Sequence, residues 1–243
     1  MHHKSVLIIT QARMSSTRLP GKILMEAAGS SMLEHHVKRL SELSANVVVA
    51  TSNQPADDVI ESWCLQHNVA VFRGDELDVL DRFYHAHLVY GGDIVVRVTS
   101  DCPLIDPNLI AKGVALYKST GNDHCYVSNC FPRTFARGFD FEIFSSTMLK
   151  EAHSLATDAS DREHVTPYFW KNREGTYEIS NLAQEENHSV LRITLDEADD
   201  FTLIKQLLED YNASALNCEQ IEKILLDHPE LRAINAHIEQ KKV

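Results

Sequence analysis

Short runs of β-branched and aliphatic residues punctuate the first hundred positions, at Val6 to Thr10, Val47 to Thr51, Val69 to Phe72 and Ile94 to Thr99. None alternates with polar residues as a half-exposed strand does, so each reads as a parallel strand buried on both faces. Between them the apolar positions switch to helical spacing: Leu33, Val37 and Leu40, then Val59, Trp63 and Leu65, then Leu80, Phe83 and His87. This βαβ alternation predicts an α/β fold with a Rossmann-like, mostly parallel sheet flanked by helices. Pro107 begins a further helix, Asn108 to Tyr117. The stretch Cys125 to Ile143 breaks the rhythm with aromatics, arginines and single glycines, and reads as an inserted hairpin and substrate lid. The remainder predicts a helix around Asp161 to Asn172, strands near Glu178 to Leu182 and Val190 to Thr194, and helices from Ala198 onward. With no repeat, low-complexity tract or linker, residues 1–243 are expected to form one domain, the insert lying at about 125–144.

Composition narrows the partners. The formal net charge is -12, which argues against broad binding to nucleic acid or anionic membrane, because both need clustered Lys and Arg. Five cysteines without a C-x-x-C pair give neither a zinc ribbon nor a disulfide framework. The apolar run Ser5 to Ile9 is too short for a membrane span and lacks a signal-peptide cleavage region, so a cytoplasmic chain with reduced thiols is expected.

In open α/β sheets ligands sit beyond the carboxyl ends of the strands, which draws attention to the loop after the first one. It reads Gln11-Ala12-Arg13-Met14-Ser15-Ser16-Thr17-Arg18-Leu19-Pro20-Gly21-Lys22. Arg13, Arg18 and Lys22, interleaved with hydroxyls and a Pro-Gly turn, offer guanidinium forks, an ammonium and backbone donors to a polyphosphate. A surface loop with solvated charges is the other reading. A P-loop would need Gly at Ser16 and Ser or Thr at Ile23, and no G-x-G-x-x-G occurs.

The stretch Gln11 to Lys22 resembles the A-R-x-x-S-T-R-L-P-G-K signature of the sugar cytidylyltransferases, and Gln11 matches the branch named after spore-coat polysaccharide biosynthesis. Further segments of that resemblance follow in order: Val49 to Ser52, Phe72 to Asp75, Asp78 to Arg82, Thr99 to Asp106, Arg162 to Pro167 and Leu191 to Asp196. It covers about residues 5 to 210. The resemblance implies a fold of the nucleotide-diphospho-sugar transferase type, a homodimer, CTP and a sugar as substrates, and Mg²⁺ as cofactor. It also implies that Arg13 and Lys22 hold the triphosphate, that Arg18 assists or braces the loop, and that Gln11, Ala12, Ser16, Thr51 and Arg73 contact the nucleotide.

Asp101 and Asp196 each follow an apolar run, so both carboxylates are expected to face one cleft. Two separated aspartates and a triphosphate form a sufficient oxygen set for magnesium, and the matching aspartates bind the metal in the resembled family. A turn residue ahead of Pro103 and the N-cap of the helix after Asp196 are the structural alternatives. Arg73 belongs to a charged cluster with Asp75, Asp78, Asp81 and Arg82 that equally suits a salt-bridged helix start. In the middle segment Arg133, Arg137 and Asp140 stand among aromatics as a sugar pocket needs, or as a dimerisation hairpin would. His164 is a candidate sugar contact or proton acceptor, or simply structural. His35 and His36 are adjacent on a helix and point apart, so they do not form a metal pair. The expected reaction is attack by a sugar hydroxyl on the α-phosphate of CTP, releasing pyrophosphate. A glycosyltransferase using Asp140-Phe141-Glu142 as an acidic metal motif, and a non-catalytic nucleotide-binding module, are the alternatives.

Overall fold

The structure, a computed structural model, describes residues 4–239. Its centre is a seven-stranded sheet in the order β5-β4-β1-β6-β8-β7-β9, built from β1 (Val6–Gln11), β4 (Asn46–Ser52), β5 (Ala70–Gly74), β6 (Ile94–Thr99), β7 (Cys125–Ser128), β8 (Glu142–Ser145) and β9 (Glu178–Asn181). A small antiparallel pair, β2 (Glu26–Ala27) and β3 (Ser30–Ser31), stands apart from it. Every neighbouring pair from β5 to β6 is parallel, and β8 alone runs against its two neighbours. The expected mostly parallel sheet is therefore present, and the hairpin read from the middle of the chain is the β7–β8 pair, seated within the main sheet.

Successive side chains of one strand enter different cores, which is why the strands are apolar throughout. In β1, Ile8 packs with Val96, Val98 and Phe141, whereas Leu7 and Ile9 pack with Val95, Phe83 and Phe144. The first face is covered by α4 (Pro107–Thr120), α8 (Ala198–Asp210), α9 (Cys218–Asp227) and α10 (Pro229–Asn235), with α1 (Met32–Leu40) and α2 (Asp58–Gln66) toward β4. The second is covered by α3 (Val79–Tyr90), α5 (Ser146–Leu155) and α7 (Pro167–Trp170). The five cysteines are free, and Cys64, Cys102 and Cys125 are buried. Among the described residues no helix is long and apolar enough to cross a membrane.

Two segments depart from the sequence reading. The predicted helix around Asp161 to Asn172 is broken into α6 (Ala159–His164) and α7, because Val165 adopts φ 70° and Pro167 restarts the chain. The apolar run Val190 to Thr194 is not a sheet strand. Its backbone pairs with single residues: Arg137 N–H donates to the Leu191 carbonyl at 2.9 Å, Ile193 N–H to the Arg137 carbonyl at 2.7 Å, and Leu195 N–H to the Asp101 carbonyl at 2.7 Å. Extended backbone and an apolar sequence are the same signal in a strand and in such a bridge, so only the fold separates them.

Candidate active site

The carboxyl ends of β1 and β6 open into a cleft of about 460 Å³ lined by Gln11 to Arg13, Ser16 to Arg18, Lys22, Val79, Arg82, Thr99, Asp101, Glu163, His164 and Asp196. The loop leaving β1 forms one wall. It folds on itself through Ser16 N–H and Gly21 N–H, both donating to the Met14 carbonyl at 2.9 and 3.0 Å. Gly21 sits at φ 71°, where a side chain is strained, and a Cβ there would stand 3.3 Å from Met14 Cε. Buried Asp57 anchors the loop from beneath by accepting from Met14 N–H at 2.7 Å and from Ser52 N–H at 3.2 Å. That turn delivers Lys22 into the cleft as the first residue of a 3₁₀ turn.

Lys22 joins the two aspartates. Its ammonium donates to Asp101 Oδ2 at 3.1 Å and to Asp196 Oδ1 at 2.8 Å. Burial works against the Lys22 charge, but attraction to Asp101 and Asp196 outweighs it and the ammonium's pKa rises. Asp101 is likewise resisted by burial and held below the usual carboxylate range by Lys22 and by the Thr99 hydroxyl, which donates to Oδ1 at 2.5 Å. Asp196 Oδ2 meets Arg18 Nη2 at 3.2 Å and Arg192 Nη2 at 3.1 Å. The capping alternative for Asp196 does not hold: Glu197 is the N-cap residue of α8, and buried Asp200 accepts from the Asp196 and Glu197 N–H groups at 2.9 and 3.0 Å.

The cations of the cleft divide into tied and untied. Arg18 is a brace, pairing with Asp196 and with Glu197 Oε1 at 3.2 Å. Among the described residues the Arg13 side chain makes no hydrogen bond or ion pair, and it is exposed at the cleft wall. Arg82, unremarked in the sequence except as part of a charged cluster, is only 2% exposed, and its Nε has no partner. Burial, then the nearby Arg13 charge, pushes its pKa down to about 10, so an anion placed here relieves both guanidinium groups. Its position three residues after Val79, on the buried stripe of α3, was the available signal. Asp57 carried none, because its role depends on which loops meet.

Thr51 and Arg73, expected to contact the nucleotide, do not line this cleft. Thr51 is wholly buried in β4, and the Arg73 guanidinium is consumed by Asp58 and Glu61 at 2.7 and 2.8 Å and by the Ser52 and Gln54 carbonyls. Gln11 and Ser16 are cleft residues, but Gln11 Oε1 accepts from Arg97 at 3.0 Å and Ser16 Oγ from Leu19 N–H at 3.4 Å. Ala12 contributes a buried methyl, with its N–H donated to the Ala50 carbonyl at 3.1 Å.

A second cleft of about 240 Å³ adjoins the first and shares Thr99 and His164 with it. It contains Arg133, Arg137 and Asp140, with the Phe131 and Trp170 rings 5.1 Å apart and tilted by 32° on its rim. Arg133 is bound by both oxygens of Asp140, whereas the Arg137 side chain makes no hydrogen bond or ion pair among the described residues. Burial first, and then Arg133, lower the Arg137 pKa. His164 stands at the junction with no side-chain hydrogen bond among the described residues, and burial depresses its pKa, so the ring is neutral at pH 7.

The arrangement of a cationic loop, paired aspartates and an adjoining acceptor cleft is met by sequence comparison over nearly the whole chain: residues 7–243 match the cytidylyltransferase family. The chain belongs to that family. This cytidylyltransferase is 32% identical over 213 residues to the spore coat polysaccharide biosynthesis protein SpsF of Bacillus subtilis, covering 84% of this chain and 86% of that one. It is also 32% identical to a cytidylyltransferase of Leptospira borgpetersenii whose structure superposes with a TM-score of 0.90, covering 99% and 100% of the two chains. CMP:2-keto-3-deoxy-manno-octonic acid synthetase, solved with CTP, shares the fold at TM-score 0.61 and 15% identity, over 84% of this chain and 98% of that one. The chain is a nucleotidyltransferase, and the non-catalytic alternative falls with that membership. The glycosyltransferase alternative falls with it as well. Asp140 pairs with Arg133, and Glu142 with Arg97, Thr166 and the Tyr126 hydroxyl, the last at 2.6 Å.

Proposed function

We propose that this cytidylyltransferase transfers CMP from CTP to the hydroxyl of an acidic keto-sugar and releases pyrophosphate, serving surface polysaccharide synthesis in the cytoplasm. The observation that carries the reading is the convergence of Asp101 and Asp196 on one cation beside the untied Arg13 and beside Arg82, whose Nη1 donates to the Asp75 carbonyl at 3.1 Å while its buried Nε has no partner, next to a cleft whose free cation is Arg137. Two hard carboxylates sharing a cation fit Mg²⁺, which takes a few protein oxygens and completes its shell with water and phosphate. When bound there by Asp101 and Asp196, the ion supplies charge neutralisation at the α-phosphate and a more acidic acceptor hydroxyl.

The protein's own residues then divide the work. Arg13 and Arg82 take the β- and γ-phosphates and hold them as pyrophosphate leaves. Lys22, released from the aspartates, turns its ammonium to the same triphosphate. Arg137 pairs with the acceptor's carboxylate and directs the hydroxyl toward the junction of the clefts. Neutral His164 accepts the hydrogen bond of that hydroxyl. We place the homodimer contact beside Phe131, which is 45% exposed at the rim of the acceptor cleft, and light scattering on the purified protein gives the mass that tests it.

The test is a pyrophosphate-release screen of the four ribonucleoside triphosphates against acidic keto-sugars and sugar phosphates, with Mg²⁺ and with EDTA. CTP with an acidic keto-sugar and Mg²⁺ is the combination expected to turn over. Release with another triphosphate alone, or undiminished turnover in EDTA, refutes the corresponding part of the reading.

A further inference from the structure

Asp81 and His85, which do not line the nucleotide cleft, stand one turn apart on α3 and meet His153 of α5. His153 Nε2 lies 2.8 Å from Asp81 Oδ1, and His85 Nδ1 lies 3.2 Å from Asp81 Oδ2. One ligand atom from each residue falls within 4.8 Å of the other two, and among the described residues this is the one group of three potential ligands so placed. A tetrahedral site with bonds of about 2.0 to 2.1 Å separates its ligand atoms by roughly 3.3 Å, so the group is already close to coordination spacing. The rings are also held. His153 stacks on Tyr84 with centroids 4.1 Å apart and 14° between planes, and His85 stands edge-on to His153 at 5.7 Å and 89°.

We propose that Asp81, His85 and His153 form a binding site for a divalent transition metal of the zinc type, separate from the aspartate pair of the active site. Two imidazoles and one carboxylate favour such an ion over Mg²⁺, which prefers oxygen alone. Side-chain exposures of 34% for Asp81, 46% for His85 and 23% for His153 leave room for water to complete the shell. In the unbound state His85 Nδ1 lies 3.0 Å from the Asp81 carbonyl, a hydrogen bond that the ion replaces, the ring's single proton then residing on Nε2. Binding staples α3 to α5, two helices that pack side by side on the sheet, and so stabilises the fold.

The experiment titrates ZnCl2 by calorimetry, and CoCl2 by visible absorption, into metal-stripped full-length protein in which His2 and His3 are alanine, so that the N-terminal imidazoles do not compete. One ion is expected at this site, undisturbed by millimolar Mg²⁺ and retained in the Asp101→Asn, Asp196→Asn double variant. At about 100 times the dissociation constant, Tm should rise by roughly 5 to 10 °C. His85→Ala and His153→Ala should each weaken binding by at least about tenfold and lose that rise, while their Tm in EDTA reports folding separately. Unchanged affinity in the His85→Ala, His153→Ala double variant overturns the site, as does loss of all binding in the Asp101→Asn, Asp196→Asn double variant.

Discussion

Arg133 and Arg137 stand in the same cleft and have opposite commitments. Arg133 is locked by Asp140, and replacing it leaves a carboxylate unpaired, whereas Arg137 has no partner to strand. Removing Arg137 should therefore read out as substrate recognition and little else. A charge-assisted contact is worth about 1.5 to 3 kcal/mol, so Arg137→Ala should raise the KM for the acceptor sugar about ten- to a hundredfold. Affinity for CTP should stay within about twofold, and Arg13→Ala should show the reverse pattern, with steady-state kinetics and calorimetry separating the two. An equal loss of CTP affinity in Arg137→Ala would move that residue out of the acceptor cleft. The aspartates give a different signature at the same scale. Asp101→Asn and Asp196→Asn should each nearly abolish turnover, because a neutral amide keeps the shape and loses the charge that holds the cation. If they serve one ion, the double variant is barely slower than either single variant, and multiplying losses would show independent roles.

At the level of elements, the site depends on places where regular structure stops. Strands β1, β4 and β6 were legible because each is buried on both faces and needs an unbroken apolar run, the half-buried edge strand β5 because its run Val69 to Phe72 is apolar as well, and the anion loop because its cations are close together in the chain. Segment 190–194 was misread because what pairs with it is the backbone of Arg137 and Asp101, remote residues that leave no periodic trace. Val165 was equally hidden: a β-branched residue at φ 70° is strained, and it persists because its wholly buried side chain packs with Phe169 and Tyr126 while Thr166 bonds Glu142. The same crossing of 137 and 191 to 195 makes Gly138 a sensitive point. At φ 114° a Cβ there would lie 2.8 Å from the Ile193 carbonyl carbon and 2.9 Å from Thr194 N, backbone atoms that cannot swing aside. Gly138→Ala should destabilise by about 2 to 4 kcal/mol, lowering Tm by roughly 5 to 15 °C, and should impair acceptor use more than CTP binding because it displaces Arg137. A thermal melt within about 1 °C of the parent would show that the two segments separate freely.

Across the whole molecule, a chain of net charge -12 keeps its functional cations in two adjoining clefts, and the response to acid expected of it centres on a buried histidine next to Asp101. His36 is wholly buried, with Nε2 2.8 Å from the Thr10 hydroxyl and Nδ1 2.8 Å from the Cys102 carbonyl, next to Asp101. Burial pushes its pKa down to about 4 from the ordinary 6.5. Below pH 6.5 the unfolded chain binds a proton at this ring that the folded chain refuses, so stability falls as pH drops from 6.5 toward 4. A difference of this size amounts to about 2 to 3 kcal/mol by pH 4.5. The lowered Asp101 loses its contribution only below the ordinary carboxylate range, and the raised His188 is already fully protonated in both states below its unfolded value. His164 is depressed in the same direction and adds to the slope, so the comparison must be made against a variant of His36 alone. Urea unfolding between pH 7 and 4.5 should show a steep loss for the parent and a flatter one for His36→Gln, whose amide reaches the same hydroxyl and carbonyl without titrating. The slope, and not the absolute stability, is the readout, since the substitution lowers the starting value by an amount set by packing. Parallel pH profiles for the two proteins would show that His36 is not the group that couples acid to unfolding.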